Sequence, residues 1–444
     1  MKIENRVLRG TFILTLSGLL SRFIGFFYRV FLSRSIGAEG VGLYQLIFPL
    51  YMLAYSITVS GIQSAISRIV ASKSALFDHR GAIRTVWIGV SLSFFLSVPI
   101  SALLFFFSDP LSVFFLNNRQ TAPLLQIMAF AVPFGSFHAC IDGFYYGIQR
   151  TSIPATRQFL EQVFRFLLLI LFRFEFFSFD YEFSPSTAVL ILVMEEIFAA
   201  LFSFTAFFLH CMRKNLLSTK NFMHRRSSFF VSSELHNFIL TAIPLSGNRT
   251  MICILQSMEA SLLPFCLQLS GYSSNESLRI YGILSGMALP MILFPTAVTS
   301  SLSTMILPSV SAAQTSGSYG RIRKIIYKSI FSCLGIGILF SLFFLFLGKP
   351  LTSLLFHNEL AGYYVQAFAF ISPMLYLNPI LFSILNGLGK SSSVFFYNLF
   401  CMILRLFFVM IIVPRLGISG YFSGLFFSQL LCNFLCIRHL QKLH

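Results

Sequence analysis

Long apolar stretches, separated by short polar segments, recur along the whole 444-residue chain. A helix of about 20 apolar residues crosses the hydrocarbon core of a bilayer. We assign twelve such spans, near residues 10–33, 43–70, 85–107, 122–147, 158–177, 186–210, 237–264, 277–310, 325–347, 363–387, 393–413 and 419–437. The alternating segments of about ten residues that a membrane barrel requires are absent. The pattern therefore predicts an all-α polytopic membrane protein with about twelve transmembrane helices.

Composition supports this reading, because only 11% of the residues are charged and the mean hydropathy is +0.80. Soluble domains have about 25% charged residues. The net charge of +17 is unevenly distributed, with Lys and Arg concentrated in alternate loops. This positive-inside bias predicts that both termini lie in the cytoplasm, and it makes nucleic acid an improbable partner.

The chain repeats itself at an offset of 240 residues. Residues 108–133 align without gaps on 348–373, and the same register places Arg150 on Lys390 and Arg165 on Arg405. Each repeat holds six spans, an even number, so both halves enter the membrane in the same sense. We therefore predict two parallel six-helix bundles, residues 1–220 and 221–444, around a central cavity, which is typical of transporters.

Motifs for covalent chemistry are not recognisable in the sequence. The segment "GLGKS" at 387–391 lacks the first glycine of a phosphate-binding loop. Cys432 and Cys436 are one helical turn apart, but no His or acid accompanies them, so we interpret them as packing residues. We expect neither an enzyme nor a bound cofactor or metal.

Arginines inside apolar spans are the strongest functional signal, because a charge there is costly unless it faces water or a partner. Arg22 and Arg29 are seven residues apart, which places them on one face of the first helix, about 10 Å from each other. Small residues lie on or near that face: Gly18, Ser21 and Gly25. The first span has no acid after Glu4, so this face favours an anionic ligand.

The seventh span opens the second repeat and contributes two further candidates for substrate binding, Arg249 and Glu259. The alternative is that the intramembrane arginines form structural ion pairs with intramembrane acids: Asp142, Glu195, Glu196 or Glu259. Arg165 and Arg405 are favoured as packing residues, and Glu161, one turn before Arg165, is placed to neutralise it.

The segment "LSRFIGFFYRVFLSRSIGAEGVGLYQLIFPLY", followed by "SGIQSAISRIVASK", resembles the N-terminal signature of the stage V sporulation protein B family. That family belongs to the multidrug/oligosaccharidyl-lipid/polysaccharide (MOP) exporter superfamily. The Ser21-Arg22-x-x-Gly25-Phe26 core is also similar to helix 1 of the lipid II flippase in the same superfamily. The family often has fourteen helices, two more than we predict here.

The resemblance implies a flippase that moves an undecaprenyl-pyrophosphate-linked cell-wall or polysaccharide precursor from the inner to the outer leaflet by alternating access. Its partners would be the lipid-linked substrate, membrane lipids and enzymes of wall or polysaccharide synthesis. Guanidinium groups suit phosphate oxygens, so the pyrophosphate is expected between Arg22 and Arg29 of one lobe and Arg249 of the other. The alternatives are a cation-coupled multidrug exporter of the same superfamily, with an acidic pocket in the first lobe, and a non-transporting scaffold for wall synthesis.

Overall fold

The computed structural model describes residues 2–173, 183–213, 228–316 and 318–442, and every regular element in these ranges is helical. The α-helices of four or more residues are α1 Lys2–Tyr55, α2 Gly61–Ala75, α3 His79–Phe106, α4 Ala122–Ala129, α5 Ala131–Gly147, α6 Ser152–Arg173, α7 Pro185–Arg213, α8 Ser228–Leu269, α9 Ser274–Gly282, α10 Leu289–Leu293, α11 Thr296–Thr315, α12 Tyr319–Phe356, α13 Glu359–Ala369, α14 Ser372–Gly387, α15 Ser391–Phe407, α16 Val413–Leu416 and α17 Ile418–Lys442. Short π-helical turns join α1 to α2, α9 to α10 and α15 to α16.

Seven helices in the described ranges are long and apolar enough to cross a membrane, or up to ten when each of three bent pairs forms one span. The apolar stretch Ser17–Ala75 contains two of the predicted spans, because Gly37 breaks α1 with a φ of 68° and a ψ of 177°. Glycine adopts a positive φ without steric cost. Helix α6 coincides with the fifth predicted span but carries several charged residues. The prediction of an all-α polytopic membrane protein is confirmed.

The described chain forms two compact units. The first unit contains Met1–Gly25 and Ile47–Ser257. In its core, α5 packs closely on α2: a Cβ atom on Gly143 would lie 2.7 Å from the carbonyl oxygen of Gln63, and one on Gly147 would lie 2.8 Å from that of Ser67. Small residues at such a spacing let two helix backbones approach closely, which is how helices associate in membranes.

The second unit contains Phe26–Leu46 and Met258–His444. Here a Cβ atom on Gly42 would lie 2.3 Å from the carbonyl oxygen of Leu278. Arg34 donates hydrogen bonds to the carbonyl oxygens of Leu354 and Leu355 in the last turn of α12, at 2.5 and 2.7 Å. A cation at a helix C-terminus stabilises the unpaired carbonyl groups there. Arg34 therefore ties the segment after the first span to α12.

The 240-residue repeat is visible in matching contacts inside the two units. The hydroxyl of Ser101 donates to the carbonyl of Ala129 at 2.6 Å, and that of Ser341 donates to Ala369 at 2.7 Å. A Cβ atom on Gly387 would lie 2.9 Å from the carbonyl oxygen of Leu307, the repeat counterpart of the contact between Gly147 and Ser67. The repeat therefore fixes local backbone geometry as well as sequence.

The predicted boundary between residues 220 and 221 lies outside the described residues. The two units are also composed differently from the predicted halves, since each contains segments from both sides of that boundary. The division into bundles 1–220 and 221–444 stays a prediction.

Candidate functional site

Arg22 and Arg29 both lie on α1 before the break at Gly37, and both side chains are exposed. Because this part of α1 is a continuous helix, the two residues are two turns and about 10 Å apart along its axis. Gly18 has no heavy atom within 4 Å of its ideal Cβ position, and Ser21 is buried. The helix therefore presents its two arginines beside at least one open position.

The two candidates on α8 occupy different environments. Arg249 is exposed. Glu259 is buried and forms an ion pair with Arg405 of α15, with 2.5 Å between its Oε2 and Nη2 of the arginine. Within the described part of the chain, Nε of Arg405 has no hydrogen-bond partner. The carboxylate of Glu259 is thus already engaged, and its role in substrate binding stays a prediction.

The acids considered as structural partners pair with other cations. Asp142 accepts from Arg157 at 2.9 Å, and Glu195 accepts two hydrogen bonds from Arg165. None of the ion pairs found among residues 2–173, 183–213, 228–316 and 318–442 involves Arg22 or Arg249. These two arginines therefore differ from Arg165 and Arg405, each of which is held by a glutamate.

A buried charge cluster occupies the first unit, and the sequence analysis did not predict it. We call it the acid cluster; its members are Tyr51, His138, Asp142, Arg157, Glu161, Arg165, Glu195 and Glu196. Its residues come from α1, α5, α6 and α7, so it connects four helices of the unit.

Glu196 is a buried carboxylate with two different hydrogen-bond partners. Nε2 of His138 lies 2.7 Å from its Oε2, and the hydroxyl of Tyr51 donates to its Oε1 at 2.9 Å. A Cβ atom on Gly135 would lie 3.0 Å from the Tyr51 hydroxyl oxygen and 3.2 Å from Oε2 of Glu196. Glycine at this position therefore leaves space for the contact between the tyrosine and the acid.

The ion pairs of α6 correct one sequence-based expectation. Glu161 was considered as a residue that could neutralise Arg165, four residues later. Glu161 instead pairs with Arg157, four residues earlier, and Arg165 pairs with Glu195 of α7. The i, i+4 spacing permits either helix pair. Packing of α6 against α7 provides the second acid, and that contact is not encoded in local spacing.

The acid cluster contains four carboxyl groups but only two arginines and one histidine. Buried charges are tolerated when they are paired and hydrogen-bonded. The cluster is therefore a structural connector whose buried charges are largely paired across the helices.

Metal-binding and redox chemistry find little support in the described residues. Among them, no group of three or more His, Cys, Asp or Glu side chains is placed to hold a metal ion. Cys432 and Cys436 are buried free thiols, and Cys436 packs in the core of the second unit. The expectation that the protein holds no metal or cofactor stays a prediction.

The helical architecture matches solved structures over nearly the whole chain. An inward-facing multidrug resistance MATE family transporter of the MOP superfamily superposes with a TM-score of 0.73 at 13% identity, covering 97% of this chain and 94% of that one. The lipid II flippase MurJ in an inward closed conformation gives a TM-score of 0.73 at 12% identity, covering 97% and 87% of the two chains. The fold is that of the MOP superfamily of transporters and flippases.

Sequence comparison assigns the family within that class. Residues 7–314, more than half of the chain, match the family described as polysaccharide biosynthesis protein, and residues 251–411 match MatE. The chain belongs to the polysaccharide biosynthesis protein family. Stage V sporulation protein B of Bacillus subtilis (strain 168) is 26% identical over 416 residues, which are 93% of this chain and 79% of that protein. The resemblance inferred from the first spans is confirmed, and the protein is a MOP-superfamily transporter or flippase.

Proposed function

We propose that the protein is a flippase for a lipid-linked oligosaccharide, moving an undecaprenyl-pyrophosphate-linked wall or polysaccharide precursor from the inner to the outer leaflet of the bacterial cell membrane. The main support for this proposal is a pair of exposed arginines, Arg22 and Arg29. They lie on an apolar helix that has no acid between Glu4 and Glu39. An exposed cation inside a membrane span is explained when it faces water or an anionic ligand.

The chemistry of the guanidinium group supports a phosphate ligand. It is planar, permanently charged and able to donate two parallel hydrogen bonds to phosphate oxygens. Two such groups about 10 Å apart along one helix face provide successive contacts for a pyrophosphate and its first sugar. We propose that Arg249 contributes a third contact. The lipid tail would remain in the bilayer, and the sugars would occupy the aqueous cavity.

The energy source is proposed to be the membrane potential. Moving negative charge outward, toward the positive side, releases roughly 2.3 kcal/mol per charge per 100 mV. With both termini in the cytoplasm, as the charge bias predicts, substrate loading from the inner leaflet would begin on the same side as the basic loops.

The test is a leaflet-accessibility assay in vesicles that contain purified protein and a pyrophosphate-linked oligosaccharide lipid. Arg29→Ala is expected to abolish flipping at normal abundance, since substitutions at exposed positions usually change stability by less than about 0.5 kcal/mol. Arg29→Lys should retain partial activity, because a point charge does not reproduce the bidentate fork. Arg279→Ala, which removes an exposed arginine elsewhere in the chain, serves as the matched control.

Full activity of both Arg22→Ala and Arg29→Ala would refute the proposed pyrophosphate role. Absence of flipping by the wild-type protein, with normal precursor binding and normal association with wall-synthesis enzymes, would favour the scaffold alternative instead.

The acid cluster favours a second candidate, a cation-coupled exporter of the same superfamily. An acidic pocket in the first lobe was the feature expected for that function, and Glu196 and Asp142 are buried acids of the first unit. Substrate efflux that depends on a proton gradient and is lost in Glu196→Gln would support the exporter. Flipping that is indifferent to an imposed pH gradient would argue against it.

A further inference from the structure

A basic cavity lies at the ends of α2, α3, α5 and α7 in the first unit, apart from the arginines of α1. Its volume is about 410 Å³, and its polar lining includes His79, Arg150 and His210. A second cavity of about 510 Å³ shares Arg150 and His210 and adds Arg213 and Tyr145. We call the two together the basic cavity, because Arg150 and His210 form their common wall.

The lining of the basic cavity is electrostatically one-sided. Arg150 and Arg213 are exposed permanent cations, and none of the described residues that line either cavity is acidic. Asp78 lies just before α3 and is next to the lining residue His79 in the sequence. Its carboxylate accepts a hydrogen bond from the backbone N–H of Gly81 at 2.8 Å, so it is used as the cap of that helix. A described lining that carries cations and no carboxylate favours an anion.

The turn beside the cavity has the character of a membrane-surface contact. Leu76 and Phe77 lie between α2 and α3 and are 77% and 84% exposed. Apolar side chains next to basic ones are typical of the bilayer interface, where the phosphate groups of lipids lie. Arg80 and Arg84 follow within the first turns of α3 and extend the basic surface. These loops are on the side that the charge bias predicts to be cytoplasmic.

We propose that the basic cavity binds a phosphate group, either in the headgroup of an anionic phospholipid from the adjacent leaflet or as free phosphate. Arg150 is the central ligand, since it lines both cavities, and Arg213 approaches the same space from α7. The apolar tip of Leu76 and Phe77 would insert beside the bound lipid. This site does not depend on the proposed flippase function, because it shares no residue with the substrate candidates.

The experiment is a titration of purified, delipidated full-length protein followed by native mass spectrometry. The probes are phosphatidylglycerol and phosphatidylcholine with identical acyl chains, each with and without excess inorganic phosphate. Wild-type protein is expected to bind phosphatidylglycerol at least about tenfold more tightly than phosphatidylcholine, because the choline cation of the second lipid is repelled by Arg150 and Arg213. Displacement by inorganic phosphate would identify free phosphate as the ligand, and resistance to it would identify the lipid headgroup.

The repeat supplies a matched control. Arg150→Gln should weaken phosphatidylglycerol binding about tenfold. Lys390→Gln removes the corresponding exposed cation of the second repeat and should change binding less than about twofold, as expected for a dispersed surface charge. Equal losses in the two variants, or equal wild-type affinity for the two lipids, would overturn the proposal. If Arg150→Gln does not fold, Arg213→Gln decides in the same assay, with a reduced affinity expected.

Discussion

The ion pair between Arg165 and Glu195 offers the sharpest test of how the first unit is held together. Glu195 is fully buried, and the Arg165 side chain is 18% exposed. Two nitrogens of the guanidinium, Nε and Nη2, donate to the two carboxylate oxygens. Arg165→Met removes both donors and leaves a buried carboxyl group next to Glu196. Breaking a buried pair in this way costs about 3–5 kcal/mol.

The expected thermal shift follows from that free energy. A domain of 150–250 residues loses about 2–4 °C in Tm per kcal/mol. Arg165→Met should therefore lower the Tm by roughly 6–20 °C. The eight cysteines are all buried free thiols, so a thiol-reactive fluorescent dye in detergent solution reports unfolding directly.

A double variant distinguishes the Tm loss caused by an unpaired buried acid from the Tm loss caused by lost packing. Arg165→Met combined with Glu195→Met removes the uncompensated group, and replacing a buried ion pair by apolar residues is often neutral. The double variant should regain most of the lost Tm, whereas Arg279→Met, at an exposed position, should leave it unchanged. A double variant as unstable as Arg165→Met alone would refute the assignment of the loss to an unpaired carboxyl group.

Two further changes test the second unit and the helix contacts. Glu259→Gln weakens the ion pair with Arg405 and should lower the Tm by an amount that corresponds to roughly 1–3 kcal/mol. Flipping per folded molecule should persist. Lost flipping at an unchanged Tm would instead support the predicted role of Glu259 in substrate binding. Gly147→Val should destabilise the protein strongly in the same dye assay, because even a Cβ atom would lie 2.8 Å from Val70 and from the Ser67 carbonyl oxygen. Gly335 lies at a helix position where an added Cβ atom would have no heavy atom within 4 Å, so Gly335→Ala should be neutral or slightly stabilising. Equal Tm losses in the two glycine variants would contradict the packing explanation.

The spans and the repeat were readable from sequence because their causes are local. A bilayer requires about 20 apolar residues per helix, so each span is visible as one continuous apolar stretch of the sequence. Repeat-related turns also carry their own signals. Asn118 and Asn358 each cap the helical segment that follows, accepting hydrogen bonds from the N–H groups of Gln120 and Ala361. Such caps act within a few residues, so their cause is local to each repeat.

The site was only partly readable. The chain pattern predicted a substrate-binding role for Arg22 and Arg29, and that role stays a prediction; the structure shows that both residues are exposed on α1. Nothing in the sequence identified the acid cluster, because its residues look scattered until α5, α6 and α7 pack together. Spacing within one helix pointed to Glu161 as the partner of Arg165. In the structure Arg165 pairs with Glu195, 30 residues further along the chain.

The sequence by itself determined the all-α membrane class, the internal repeat and the family, because each depends on local composition or on matching segments. Tertiary structure decided which charges are paired and which are exposed. Arg405 meets Glu259, 146 residues earlier, and His138 meets Glu196, 58 residues later. Ion pairs act over a few ångströms, so the partner of each charge depends on which helix faces come together in each unit. Those helix contacts depend on the packing of the whole unit and are not encoded in any single segment.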